Sequence, residues 1–147
     1  SDIETDFNKG YRVIRPLADV NLISNGFMMR EVVSAADLLN NRGIDVGIVD
    51  LFKFKPFPEM FLKEILARSN TVISIEESCK TGGLGTGLSE LIAQNDVLCS
   101  LKVIGAPDKQ FIEYGDRDWF YVKYGLSAGS VADQISGFLG MTDSNNC

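Results

Sequence analysis

Two adjacent carboxylates, Glu76 and Glu77, stand shortly before four glycines in six residues: Gly82, Gly83, Gly85 and Gly87. Glycines at such a junction let the chain turn sharply, and backbone N–H groups at a following helix start can cradle a phosphate. The same glycines also suit close packing of a helix on a sheet, so two readings stand side by side. The dinucleotide fingerprint is not met: Gly83 and Gly85 supply G-x-G, but the last glycine of G-x-G-x-x-G falls at Leu88. The P-loop pattern is not met either, because no Gly-Lys-Ser/Thr follows. The two carboxylates are not expected to share general acid–base work, since neighbours on a strand point to opposite faces. One is expected to accept hydrogen bonds from glycine-loop N–H groups, and the other to face solvent or a partner. Gly83 and Gly85 are expected to be needed for packing, either through a positive φ or because the helix meets the sheet there.

Residue counts bound the remaining chemistry. The 147 residues include no histidine. A Ser-His-Asp or Cys-His site and a His-rich zinc or iron site are therefore excluded from this chain. The three cysteines, Cys79, Cys99 and Cys147, form no C-x-x-C pair. That fits a reducing, cytoplasmic setting. Cys79 lies beside the glycines, but with no histidine to activate it the expectation is an inert thiol. A net charge of −6 argues against nucleic acid as the main partner. No run of 18 apolar residues occurs, so no membrane partner is expected. The acidic start SDIETDFNKG reads as a segment without a signal peptide.

The elements that must position these residues alternate. Tyr11 to Arg15 alternates and ends at Pro16, as an edge strand does. Val20 to Ser24 is the next strand, broken by Ser24-Asn25-Gly26. A helix follows with Met29, Val32, Val33, Ala36 and Leu39 on one face and Gly43 as its C′ residue. Asp45 to Leu51 reads as a third strand. FKFKPFP is an aromatic loop exposing residues for a partner or packed on its own core. It leads to a helix with Pro58 in its first turn and Met60 or Phe61, Ile65 and Leu66 inward. Thr71 to Ile75 is a strand, and Leu84, Leu88, Leu91 and Ile92 recur at helical spacing behind it. Leu101 to Ile104 is a fifth strand. Asp116 is placed to cap a short helix carrying Trp119, Phe120 and Val122 or Lys123. Ser127 is placed to cap a last helix through Val131, Ile135, Phe138 and Leu139. Such alternation predicts an α/β fold with a mostly parallel sheet covered on both faces. The expected organisation is one domain over 11–140, a linker or disordered segment over 1–10 and a disordered tail over 141–147.

These stretches, in this order, resemble a known family. VNLISNGFMMREVVSAADLL, GIDVGIVDLFKFKPF, EESCKTGGLGTGLSELI, IGAPD and YGLSAGSVADQI resemble the C-terminal domain of transketolase-like enzymes. That group uses thiamine diphosphate and includes transketolases, deoxyxylulose phosphate synthases and the beta subunits of 2-oxoacid dehydrogenases. The resemblance covers Tyr11 to Leu139. IGAPD and YGLSAGSV lie closer to the first two, while CKTGG is similar to the K/R-T-G-G of the beta subunits.

The resemblance implies a three-layer α/β/α domain with a five-stranded, mostly parallel sheet of order 1-3-2-4-5 and an antiparallel first strand. The order reverses beside the Val20 strand. Ser24, Asn25 and Gly26 would then join Glu76, Glu77, Thr81, Gly82, Gly83 and Gly85 in a ligand or interface crevice. The resemblance further implies that thiamine diphosphate and its divalent metal sit in other domains of the parent enzyme. No catalytic, cofactor-binding or metal-binding residue is assigned to this chain. It would be an excised domain or a small subunit, supporting a homodimer or heteromer with the pyrophosphate- and pyrimidine-binding domains or subunits. The alternative is a stand-alone module that binds a phosphate or nucleotide at the glycine loop, or docks a partner.

Overall fold

β-Branched and aliphatic residues with period two build the sheet, and each strand sends alternate side chains into two separate cores. The computed structural model describes residues 8–79, 82–108 and 115–140. The strands are β1 (Tyr11–Arg15), β2 (Val20–Ser24), β3 (Gly47–Leu51), β4 (Thr71–Cys79) and β5 (Ser100–Ala106). The helices are α1 (Met28–Asn41), α2 (Glu59–Arg68), α3 (Leu84–Gln94), α4 (Arg117–Lys123) and α5 (Ala128–Phe138). The sheet order is β1-β3-β2-β4-β5, with β1 antiparallel to β3 and every other pair parallel. This is the three-layer α/β/α arrangement that the resemblance implies.

The two cores follow from strand alternation. Leu22, Ile48, Ile73 and Ile75 face α1, α4 and α5, whose Val32, Leu39, Tyr121, Val131 and Ile135 complete that layer. Ile23, Val49 and Val72 face the other way, onto Leu62, Ile65 and Leu66 of α2 and Leu84, Leu88 and Leu91 of α3. Burial of about 1.5–3 kcal/mol per large aliphatic side chain on both faces holds the layers together.

Several inward faces differ from the sequence expectation. In α1 the buried stripe is Met28, Val32, Ala35, Ala36 and Leu39, with Met29 and Val33 only half-buried at its edge. Ala35 and Ala36 belong inside because they share a core with Ala132 of α5; small residues let two helices approach closely. In α2, Met60 is 89% exposed and Leu62 takes the inward place. Phe61 stacks instead on Tyr11 of β1, ring centroids 3.4 Å apart. Pro58 is the N-cap of α2 rather than a first-turn residue. Helix α4 has only seven residues and buries only Tyr121, leaving Trp119 and Val122 exposed. In α5, Ala132 and Ser136 are buried while Phe138 is exposed. Strand β3 begins at Gly47, not Asp45, where its pairing to Asn21 of β2 starts. Strand β4 continues past Ile75 to Cys79, with an irregularity in its pairing to β5. The sequence calls on residues 1–7 and 141–147 fall outside the described residues. No helix among the described residues is long and apolar enough to cross a membrane.

Candidate functional site

The sheet order turns around at β2. β3 lies on one side of it and β4 on the other. The carboxyl ends of β2 and β4 are therefore neighbours, which in open α/β sheets is where ligands bind. The Ser24 hydroxyl stitches these ends together by donating to the Ile75 carbonyl at 2.6 Å. The two carboxylates that follow Ile75 go to opposite faces of β4, and each meets a different helix start.

Glu76 is 3% exposed and points to the α3 side. Its Oε1 accepts from Leu84 N at 2.5 Å and its Oε2 from Gly85 N at 3.1 Å. Leu84 and Gly85 are the first two residues of α3, and Gly83, the N-cap position, has no side chain to offer. The strand thus supplies the cap that the loop cannot. Burial pushes the Glu76 carboxyl above its ordinary value of 4.5, and the Gly85 and Leu84 N–H groups and Ser78 pull it partly back.

The glycines around it answer to space more than to backbone angle. Gly83 has φ −95° and takes no left-handed conformation. A Cβ there would strike Oε1 of Glu76. At Gly85 a Cβ would lie 2.5 Å from Val103 Cγ2 and 2.9 Å from Ser74 Oγ. At Gly87 it would run into the Phe57 ring. Positive φ belongs instead to Gly82 (77°) and Gly26 (58°). The loop is built so that a buried carboxylate, a strand and a helix meet without intervening side chains.

Glu77 points to the α4 side and is half-exposed. It accepts from Arg117 Nε at 2.9 Å. The Arg117 guanidinium also lies 3.9 Å from the Phe27 ring centroid. Arg30 pairs with Asp118 at 2.7 Å and with Glu31 at 3.0 Å. The buried Tyr121 hydroxyl has no acceptor at hydrogen-bonding geometry among the described residues. Burial, reinforced by the nearby Glu77 charge, pushes its pKa up to about 12.

The nine sequence candidates do not share one crevice. Asn25, Glu76, Gly82 and Gly83 line a cleft of about 570 Å3. Gly26 lines a second hollow of about 520 Å3 with Phe27, Arg30, Asp116, Arg117 and Asp118. Glu77 serves this second side through Arg117. Ser24 and Gly85 are buried beneath these surfaces. Thr81 and the Cys79 side chain lie outside the described residues. Cys99 is a free thiol whose pKa is raised by burial, which disfavours the reactive thiolate.

Sequence reasoning missed Lys55, Ser78, Thr86 and Glu90 in the first cleft and the Arg30–Asp118 contact in the second. The Asp116 cap and the break at Gly26 were visible signals of helix starts. Nothing in local spacing says that two helix starts some 90 residues apart share one end of the sheet.

A mixed α/β sheet with one antiparallel edge strand and a self-capped glycine turn defines a domain class, and the relatives agree with it. The family model for "Transketolase, C-terminal domain" matches residues 10–131. The chain belongs to the transketolase C-terminal domain family. It is 36% identical over 110 residues to 1-deoxy-D-xylulose-5-phosphate synthase of Caldanaerobacter subterraneus subsp. tengcongensis, covering 75% of this chain and 18% of that protein. It is 30% identical over 126 residues to the same enzyme of Syntrophotalea carbinolica, covering 86% of this chain and 20% of that protein. The chain therefore spans about a fifth of the length of these curated relatives. Among solved structures, a split gene transketolase in an inactive beta4 tetramer superposes with a TM-score of 0.79 at 25% identity. That match covers 90% of this chain and 43% of the other. Transketolase of Campylobacter jejuni shares the fold, with a TM-score of 0.65 at 18% identity over 93% of this chain and 20% of the other.

Proposed function

We propose that residues 11–140 act as the non-catalytic C-terminal domain, or small subunit, of a thiamine-diphosphate-dependent enzyme that transfers ketol groups between sugar phosphates in the cytoplasm. The observation that carries this reading is the match of residues 10–131 to the transketolase C-terminal domain, a region that makes up about one fifth of deoxyxylulose phosphate synthases. Its role in this reading is assembly. It packs against the pyrophosphate- and pyrimidine-binding domains, or the subunits carrying them, and supports the homodimer or heteromer in which they act. The split gene transketolase, as a tetramer of one subunit type described as inactive, is a precedent for such a division of labour.

The described residues of this chain do not fit thiamine diphosphate itself. A diphosphate entering at the glycine turn would meet the Glu76 carboxylate, which already holds the amides of Leu84 and Gly85. Among the described residues, no group of three His, Cys, Asp or Glu is placed to hold the accompanying metal. The cofactor and its metal belong, in this reading, to the parent enzyme's other domains.

The reading is tested by reconstitution. Ketol transfer is assayed with the thiamine-binding polypeptide alone, with this chain alone, and with both. Only the combination is expected to be active; full activity without this chain would refute the assembly role. A second reading, a phosphate- or nucleotide-binding module, has Lys55 in the 570 Å3 cleft in its favour, with Glu76 and Glu90 opposing it in the same cleft.

A further inference from the structure

An asparagine followed by glycine is open to attack by its own backbone. The glycine nitrogen can close a small ring on the asparagine side-chain carbonyl carbon, because no Cβ on the following residue crowds that ring. Of the asparagines in the sequence, Asn25 alone is followed by glycine. Asn25 and Gly26 form the turn between β2 and α1.

The fold leaves both partners of the attack free. Gly26 is exposed, with φ 58°, and nothing lies within 4 Å of where its Cβ would stand. Neither the Asn25 side-chain amide nor the Gly26 N–H has a hydrogen-bond partner among the described residues. Only the Gly26 carbonyl is engaged, accepting from Met29 N at 3.2 Å. The Asn25 side chain lies in the wall of the open 570 Å3 cleft, where water reaches it.

Other asparagines are held differently. Asn21, 1% exposed, accepts from Ala18 N at 3.0 Å and donates to Ala18 O at 2.6 Å and Ser69 Oγ at 2.7 Å. Asn95 donates to the Leu91 carbonyl at 2.8 Å. After Asn41 and Asn70 it is the following amide that is spent: Arg42 N donates to Leu39 O at 2.9 Å, and Thr71 N to Asp19 O at 3.2 Å. An amide held in this way cannot swing onto the preceding side chain.

We propose that Asn25–Gly26 is a self-modifying site that deamidates in the folded chain. The Gly26 nitrogen gives up its proton and bonds to Asn25 Cγ. The Cγ–Nδ2 bond breaks, and Nδ2 leaves as ammonia with that proton. Water then adds to either carbonyl of the succinimide and opens it to aspartate or isoaspartate. The net change is one water taken up and one ammonia released, with no oxidant or cofactor consumed. The product puts a new carboxylate into the cleft that Glu76 and Glu90 already line. Its isoaspartyl form also adds a backbone carbon between Ser24, tied to the Ile75 carbonyl, and the start of α1. The turn is thus a slow, irreversible charge switch at the carboxyl end of β2, and it stands independently of the functional reading above.

The test ages the full 147-residue chain, kept folded at neutral pH and body temperature, and samples it over weeks. A sample digested at the start corrects for change during handling. Trypsin releases Asn21 and Asn25 in one peptide ending at Arg30, so fragment masses compare the two under identical conditions. Aspartate and isoaspartate should accumulate at position 25 about tenfold faster than at any other described asparagine. Asn25→Gln, whose longer side chain must close a larger ring, should abolish the change at that position. Asn25 left intact in the folded chain, or another described asparagine converting first, would overturn the proposal.

Discussion

Helices α3 and α4 present their starts at the same end of the sheet, yet they are held by opposite means. The α3 start is dry, and its amides are taken by Glu76 from the neighbouring strand. The α4 start is wet: Asp116 caps it locally, accepting from Trp119 N at 2.8 Å, and Glu77 reaches it only through the Arg117 guanidinium. Two adjacent residues of one type therefore do different work because β4 sends them to different layers. A buried carboxylate must be satisfied completely, which is why glycines surround Glu76. A half-exposed one can share its needs with water. Helix α5 repeats the first solution in a milder setting. Its N-cap Ser127 makes no side-chain cap bond, and Glu31 of α1 accepts from Ala128 N at 2.8 Å.

The contrast is broken most severely at Gly83. Gly83→Val forces a branched side chain into Oε1 of Glu76 and should destabilise the fold by about 3 kcal/mol, read from urea melts. A melt matching the parent would show that the glycine turn is not packed as described.

Glu76→Gln is the next largest. Near pH 4 the buried Glu76 is the neutral acid, whose hydroxyl oxygen can still accept from one of the two amides, whereas the amide nitrogen of Gln cannot, so a loss of about 1 kcal/mol is expected there. The pH dependence sharpens the test. The folded Glu76 carboxyl titrates above its ordinary 4.5, so the folded state holds this proton more tightly than the unfolded one. Its stabilising contribution is complete below the ordinary carboxylate value and declines as pH rises through the raised one. The stability gap between parent and variant should therefore narrow as pH rises through that window. A gap that widens would mean that the two amides outweigh burial.

On the wet side the effects are smaller. Asp116→Ala removes one local cap and should cost about 1 kcal/mol. Arg117→Ala should change stability least of the four, and high salt should bring the parent towards the variant. An Arg117 effect rivaling that of Gly83 would erase the distinction between the two helix starts.

Much of this arrangement was legible in the residues. Alternation in Thr71 to Ile75, the four glycines and the leucines at 84, 88 and 91 announced a strand, a sharp turn and a helix. The opposite facing of Glu76 and Glu77 followed from strand geometry alone. The sheet order came from the family resemblance, because nothing local specifies which strands pair. The sequence names the apolar residues that α4 carries but not which of them turns inward, because a seven-residue helix is too short for periodicity to decide. Tyr121 is buried in a core shared with residues of β2, β4, α1 and α5 that are distant in sequence. The glycine requirement was read partly as a matter of φ, whereas at Gly83 and Gly85 it is a matter of room for Glu76, Val103 and Ser74.

The central claim is that the glycine turn serves the chain's own carboxylate and leaves the cofactor to other domains. Isothermal titration calorimetry of this chain with thiamine diphosphate and magnesium tests it most directly. The account predicts no heat of binding. Micromolar binding to this chain alone would contradict it.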